Sequence, residues 1–127
     1  MIFERTLIVI LLCVSVSFRN DLPSELVQGF VNGDAKLISK HFNESIELIF
    51  TESSGVYGKT QAEQILRTFF VNNAPANGKF GYKPLHNSGR ENMHYFIGEL
   101  HTGKGLYRVT IHMKDKLIHR MRIENND

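Results

Sequence analysis

The chain has 127 residues, the size of one domain, which excludes multidomain enzymes and large cofactor-binding barrels. Its 15 basic and 13 acidic residues give a net charge of +2, too small to indicate nucleic-acid binding. A hydrophobic content of 42% is typical of a packed globular domain. The single cysteine, Cys13, excludes an internal disulfide, and the six histidines lack metal-ligand spacing. We therefore expect no metal site and no cofactor.

The first 17 residues have the three-part pattern of a secretory signal peptide. Arg5 supplies a positive charge, residues 6–16 are almost uniformly apolar, and Ser15 and Ser17 suit cleavage after Ser17. An uncleaved membrane anchor is the alternative, but an apolar run of about 11 residues is shorter than the roughly 20 that span a bilayer. The sequence thus predicts an exported protein, periplasmic or extracellular, with no membrane contact after cleavage.

The mature chain, residues 18–127, is predicted to be a single domain that begins with two short helices. Asp21 is the expected cap of the first helix, with Pro23 in its first turn, and Gly33 is the expected stop. Asp34 is predicted to cap the second helix. Both helices carry apolar stripes at helical spacing, formed by Leu26, Val27, Phe30 and Val31 in the first and by Leu37, Ile38 and Phe42 in the second.

A strand is predicted over Ile46–Phe50, followed by a turn and a short return strand at Val56-Tyr57. Thr60 and Glu63 then have the spacing of a capping box, which predicts the start of a third helix. That helix would present its apolar residues on one face and end before Asn72. The residues of this face are Ile65, Leu66, Phe69 and Phe70.

The rest of the chain reads as four strands joined by short turns, with Gly103-Lys104 as a two-residue hairpin loop. Early helices followed by an antiparallel meander indicate an α+β fold. We expect a curved antiparallel sheet of four to six strands wrapped around three helices of the N-terminal half. The predicted strands are Lys79–His86, Met93–Thr102, Gly105–Lys114 and Leu117–Glu124.

The Gly103-Lys104 loop fixes which residues face each other in the hairpin, and side-chain alternation then assigns the two faces. The more apolar face, expected to lie under the helices, pairs Leu100 with Tyr107, Gly98 with Val109, Phe96 with Ile111 and His94 with Met113. The outer face pairs Glu99 with Arg108, Ile97 with Thr110 and Tyr95 with His112. A three-residue loop at Lys114–Lys116 would add Leu117, His119, Met121 and Ile123 to the inner face.

Three segments carry a family resemblance: LISKHFNESIELIF at 37–50, GVYGKTQAEQILRTFF at 55–70 and LIHRMRIE at 117–124. Together with the order of elements, they resemble the nuclear-transport-factor-2-like superfamily, the cystatin-like α+β cone. More narrowly, the chain resembles short secreted bacterial proteins described only as a domain of unknown function. The resemblance covers about residues 22–124.

The resemblance implies a cone-shaped sheet around the helices with a cavity that opens at one end. It supplies no catalytic residues for this chain. The wider superfamily includes isomerases, dehydratases, transport factors and dimerisation modules, so the fold alone does not select a function.

Aromatic residues predicted on the inner surface could line an apolar ligand pocket. Gly98 would leave space above the sheet in that case. In the alternative interpretation the core is filled and Gly98 marks a bend in the sheet. The residues of the predicted pocket are Tyr57, Phe69, Phe70, Phe96, Gly98 and Tyr107.

His119 and His94 are the weak candidates for acid–base catalysis because both are predicted on the inner face. No carboxylate on that face is placed to orient either imidazole, since Glu99 falls on the other side. A small cavity enzyme of the isomerase, dehydratase or hydrolase type, with His119 as the acid–base residue, is therefore the alternative hypothesis.

The outer face mixes aromatic, aliphatic and charged side chains, which is compatible with a homodimer surface. Its residues are Tyr95, Ile97, Arg108, Thr110 and His112. The function predicted from the sequence is an exported, non-catalytic binding or assembly module. It would form a homodimer through this face or hold a small hydrophobic ligand inside the cone.

Overall fold

The computed structural model describes residues 21–126, in which three helices lie on one face of a six-stranded sheet. The predicted signal peptide lies outside these residues. No helix between residues 21 and 126 has both the length and the apolar character needed to cross a membrane. In chain order the elements are α1 (Ser24–Asn32), α2 (Ala35–Ser39), β1 (Phe42–Phe50), β2 (Ser54–Gly58), α3 (Lys59–Asn72), β3 (Gly81–Arg90), β4 (Met93–Thr102), β5 (Gly105–Lys114) and β6 (Leu117–Asn125).

The sheet has the strand order β2-β1-β6-β5-β4-β3 and is mixed, because β1 and β6 run parallel while the other neighbours are antiparallel. Register shifts interrupt three of the five ladders, between β1 and β6, β3 and β4, and β5 and β6. Such bulges bend strands and increase their twist. The curved α+β architecture expected from the sequence is therefore confirmed, with one parallel strand pair that the prediction of an antiparallel sheet did not contain.

The core lies between the concave face of the sheet and the three helices. Phe30 of α1 stacks on Tyr82 of β3 with ring centroids 5.5 Å apart, and it meets the edge of Phe70 from α3 at 6.2 Å. Burial raises the pKa of Tyr82 to about 12, in keeping with this position inside the cone. The sheet contributes fully buried aliphatic side chains, among them Ile111, Met121 and Ile123.

Two of the predicted helix caps near the N-terminus are confirmed and one is wrong. Gly33 ends α1 in the left-handed conformation (φ 60°), and the Asp34 carboxylate accepts a hydrogen bond from the Leu37 amide at 3.0 Å. Asp21 does not cap α1, because the extended Pro23 occupies the N-cap position. The Pro23 carbonyl accepts the first helical hydrogen bonds, so Asp21 lies too early in the chain to cap the helix.

The predicted capping box of the third helix does not form. β2 leads directly into α3, whose N-cap is Gly58, so Thr60 already lies inside the first turn. Glu63 pairs instead with Arg67 and accepts a hydrogen bond from the Ser39 hydroxyl at 3.0 Å. A contact between α2 and α3 has thus replaced the local contact that the sequence pattern favours.

The hairpin of β4 and β5 has the predicted bounds, the Gly103-Lys104 loop and the predicted pairs on both faces. The other four strands are longer than predicted. β2 spans Ser54–Gly58, and β6 ends at Asn125. β1 begins at Phe42, which was expected in the second helix, and β3 runs from Gly81 to Arg90. Residues 91 and 92 therefore form the turn that leads into β4.

The predicted three-residue loop between β5 and β6 is wrong. Lys114 faces Leu117 across a two-residue turn, in which Asp115 and Lys116 have φ of 51° and 68°. Positive φ at both central residues is the geometry of a type I′ hairpin turn. A register shift beyond the turn then returns Met121 to the inner face, opposite Ile111.

This register shift decides the position of His119. The fully buried Ile118 points inward near the turn, while His119 sits in the bulge with its ring 6.5 Å from that of His112, an outer-face residue. The prediction that Leu117 and His119 face the interior is therefore wrong, whereas that for Met121 and Ile123 is confirmed. The bulge keeps the polar imidazole out of the core without turning the arginines of β6 inward.

The strained turn at Lys116 yields a stability prediction. Because Lys116 has a left-handed backbone that glycine adopts without steric cost, Lys116→Gly should raise the free energy of unfolding by about 1 kcal/mol. The melting temperature should rise by roughly 4–8 °C for a domain of this size. Thermal and urea unfolding followed by circular dichroism will measure both quantities.

Lys104→Gly is the matched control, since Lys104 occupies a two-residue loop of the same sheet without a positive φ. It should leave the stability unchanged or lower it. Equal stabilisation by the two substitutions would show that the backbone strain at Lys116 is not the cause.

Candidate ligand-binding site

A cleft of about 720 Å³ lies at the end of the sheet where the β3–β4 and β5–β6 turns come together. The segment before α1 and His41, which lies between α2 and β1, complete its wall. Its lining residues are Asp21, Pro23, His41, Glu91, Asn92, His94, Phe96, Met113, Asp115 and Lys116. We call this cavity the mouth cleft.

The floor of the mouth cleft is apolar because it is the end of the inner sheet face. Phe96 and Met113 are 6% and 5% exposed, and Met113 faces His94 across the β4–β5 ladder. The ring planes of His94 and Phe96 are 29° apart, with centroids separated by 6.2 Å. Strand alternation thus brings two apolar side chains and one imidazole onto one surface.

One ring nitrogen of His94 is buried and has no contact with solvent. Its Nδ1 atom is buried without a hydrogen-bond partner and packs against Gly89 of β3, where an added Cβ would lie 2.7 Å from that nitrogen. His94 is a lining residue of the cleft, and with Nδ1 buried, Nε2 is its remaining ring nitrogen for contact with a ligand. His94 therefore combines an apolar ring face with one available hydrogen-bonding atom.

The rim of the mouth cleft is fixed by hydrogen bonds between the two turns. The Asn92 side-chain amide donates to the Asp115 carboxylate at 2.6 Å, and the Asp115 backbone amide donates to the Asn92 carbonyl at 3.0 Å. These bonds join the β3–β4 turn to the β5–β6 turn. The Asp115 carboxylate consequently has a defined position at the edge of the cleft.

His41 forms the wall opposite the turns. Its Nε2 atom lies 2.8 Å from the Glu25 carboxylate of α1, and its carbonyl accepts a hydrogen bond from the Ile118 amide at 2.6 Å. The first contact fixes the ring and the second fixes the backbone against β6. Because the Glu25 carboxylate already contacts Nε2, this ring nitrogen of His41 is occupied within the protein.

The residues of the predicted interior pocket do not share one cavity. Phe69 and Tyr107 meet edge to face at 5.1 Å and line a depression of about 310 Å³ that also contains the β1–β2 turn residue Glu52. Phe70 is buried among Phe30 and Phe80, and Tyr57 packs on the margin of the core from β2. Of the six predicted residues, Phe96 is the one that lines the mouth cleft.

Gly98 explains why the interior is not open. A Cβ at Gly98 would collide with the hydroxyl of Tyr82, whose ring lies over this glycine. Gly98 pairs with Pro84, next to the register shift in the β3–β4 ladder. The filled-core interpretation therefore describes this position, and the glycine provides room for Tyr82 rather than for a ligand.

The two histidines considered as acid–base candidates lie on opposite faces of the sheet. His94 faces inward as predicted, whereas His119 lies beside His112 on the outer face. The enzyme hypothesis placed its acid–base group at His119 inside the cone, so its geometric basis is lost. In residues 21–126 no cluster of three or more histidine, cysteine or acidic residues is arranged to hold a metal ion.

The five residues of the predicted dimer face do share the outer surface of β4 and β5, as the register of this hairpin requires. Tyr95 and His112 stack with centroids 4.4 Å apart and ring planes only 2° from parallel. Burial, followed by the nearby charges of Arg120, His119 and Lys114, lowers the pKa of His112. The imidazole of the Tyr95–His112 stack is thereby kept neutral at physiological pH.

Sequence reasoning missed the mouth cleft, although a signal for it was present. In an antiparallel meander, alternate turns lie at the same end of the sheet, so the β3–β4 and β5–β6 turns had to be neighbours. His41 could not be found in this way, because its position depends on the parallel pairing of β1 with β6.

One known protein family matches most of the chain. The family model of a domain of unknown function, DUF4783, matches residues 23–124. No curated protein matches the chain significantly.

Solved structures of the same family are similar over most of this chain. A DUF4783 family protein from Bacteroides ovatus has 26% sequence identity and a TM-score of 0.75, with 86% of this chain and 99% of that one covered. A DUF4783 family protein from Bacteroides uniformis has 27% identity and a TM-score of 0.74, with 84% and 99% covered.

A more distant match shows a similar fold. The protein described as Rd1NTF2_04 with long sheet has 15% identity and a TM-score of 0.64, with 79% of this chain and 94% of that one covered. The resemblance to the nuclear-transport-factor-2-like fold is therefore confirmed.

Proposed function

The chain belongs to the DUF4783 family, and we propose that it is an exported, non-catalytic binding module that holds a small apolar ligand in the mouth cleft. Export is supported by the signal-peptide pattern of residues 1–17. The ligand position differs from the interior pocket expected from the sequence, because Tyr82 and its neighbours fill that space.

One observation carries the ligand-binding proposal: the apolar floor of the mouth cleft lies below a rim of polar side chains. Phe96 and Met113 supply apolar surface, and the Nε2 atom of His94 supplies an orienting polar group. A volume of about 720 Å³ lies within the range of about 300–1,000 Å³ that is usual for small-molecule sites. Such sites combine a largely apolar lining with a few polar groups.

The same side chains favour binding over catalysis. A histidine that acts as an acid–base catalyst gains from a partner that orients its ring and stabilises the imidazolium. The Nδ1 atom of His94 has no partner and is buried against Gly89, so protonation of both ring nitrogens would leave a donor unsatisfied. The other imidazole of the cleft, His41, has Nε2 engaged by Glu25.

A fluorescent probe tests this function directly. The uncharged dye N-phenyl-1-naphthylamine should bind to the chain of residues 18–127 with an increase in fluorescence, because its aromatic rings fit the apolar floor. His94→Trp fills the cleft with a larger side chain and should weaken dye binding at least tenfold. Fluorescence titration will give the two dissociation constants.

Tyr95→Trp is the matched control, because it places the same side chain at the next residue but on the outer face. It should leave the affinity for the dye unchanged. Absence of dye binding, or equal loss of affinity in both variants, would contradict a ligand site in the mouth cleft.

A homodimer through the outer sheet face is the second candidate function. Met93 and Tyr95 are large hydrophobic residues with 37% and 39% exposure, and strand alternation places both in one column with Ile97. Aromatic residues and methionine are enriched at protein interfaces. The neutral His112 stacked on Tyr95 adds a further flat surface without charge.

In a twofold dimer each substitution occurs twice, so a single charge can test this second function. Tyr95→Glu should convert a dimer to a monomer in light scattering, because two carboxylates would then be buried at the interface. Val71→Glu, at a position 71% exposed on α3, is the control and should not change the mass. A wild-type monomer at high micromolar concentration would contradict the dimer.

A further inference from the structure

We infer that the mouth cleft selects small apolar molecules that carry a positive charge, with primary and secondary amines as the chemical class. The inference rests on the proposed ligand-binding function and adds the charge of the ligand to it. It depends on how the charged residues are distributed between the cleft and the rest of the molecule.

The charge of the mouth cleft is opposite to that of the chain. Its lining contains three carboxylates, from Asp21, Glu91 and Asp115, and one ammonium group, from Lys116. With both histidines neutral the lining residues have a formal charge of −2, whereas the whole chain has +2. A cavity with walls of low dielectric constant strengthens the potential of the charges at its rim.

The carboxylates lie where the charged end of an amphipathic ligand would be. Glu91 and Asp115 belong to the two turns of the rim, whereas Phe96 and Met113 form the floor. The hydrogen bond from Asn92 holds Asp115 in place, so the carboxylate needs little ordering when a cation binds. A ligand with its apolar end on the floor thus brings an ammonium group to the rim.

The same charges disfavour an anionic ligand. The three carboxylates of the lining would repel a carboxylate group that entered the cleft. Lys116 is the one fixed cation among the lining residues to offset that repulsion.

Three ligands with one common body test the inference. 3-Phenylpropylamine, 3-phenylpropan-1-ol and 3-phenylpropanoate differ only in the charge of the terminal group at pH 7. Competition against N-phenyl-1-naphthylamine at low ionic strength should rank them amine, alcohol, acid, with the amine at least about tenfold tighter than the acid. At 0.5 M NaCl the difference should shrink, because salt screens charges at the rim.

Two charge-removing variants identify the groups responsible. Glu91→Gln combined with Asp115→Asn keeps the shape of the rim, and Asn at position 115 can still accept the bond from Asn92. This double variant should reduce the preference for amine over acid about three- to tenfold. Glu52→Gln combined with Glu124→Gln removes the same charge from residues that do not line the cleft and should have no effect.

Each outcome separates the inference from the proposed function. If the dye binds but the three compounds compete equally, or the acid competes best, the cleft binds ligands without selecting cations and the inference is wrong. Retention of the full preference in the Glu91→Gln/Asp115→Asn variant would also overturn it. If the dye does not bind at all, the proposed function and the inference both fail.

Discussion

The structure depends on keeping one face of a strongly curved sheet apolar from end to end. Curvature requires bulges, and every bulge shifts the alternation of side chains by one residue. In β6 the bulge at His119 restores the inward direction of Met121 and Ile123 after a turn that would otherwise have placed Arg120 and Arg122 inside. Burial of two arginines without partners would be far more costly than a local loss of ladder hydrogen bonds.

The same constraint separates the closed part of the cone from its open end. Phe30 and Phe70 pack with Tyr82 of the edge strand β3, and Gly98 of β4 admits the Tyr82 ring. Toward the β5–β6 turn, the buried inner face continues as Phe96 and Met113, which belong to the core and also line the mouth cleft. A binding surface arises there because apolar strand residues extend to the cleft.

Local sequence patterns were sufficient to predict the β4–β5 hairpin, because the two-residue Gly103-Lys104 loop determines the register of both strands. They failed at Lys114–Lys116, because two residues without glycine adopt the left-handed conformation that a type I′ turn requires. They also failed at Thr60, since β2 joins α3 without a loop and Glu63 binds Ser39 of α2 instead. These errors have one cause, namely tertiary contacts that outweigh local preferences worth about 1 kcal/mol.

The candidate site was only partly predictable for the same reason. The inward direction of His94, Phe96 and Met113 follows from strand alternation, so the sequence correctly predicted which residues form the floor. The Asn92–Asp115 hydrogen bond and the position of His41 depend on contacts between distant segments. The acidic rim therefore could not be recognised from a chain whose overall charge is +2.

The most direct test of a ligand site in the mouth cleft is a map of the residues that respond to a ligand. Nuclear magnetic resonance of the ¹⁵N-labelled chain, titrated with 3-phenylpropylamine, will report every backbone amide at once. We expect saturable shifts concentrated at His94, Phe96, Met113 and the two turns of the rim. Shifts centred on Tyr95 and Thr110 of the outer face, or on Phe69 and Tyr107 at the opposite end, would contradict it.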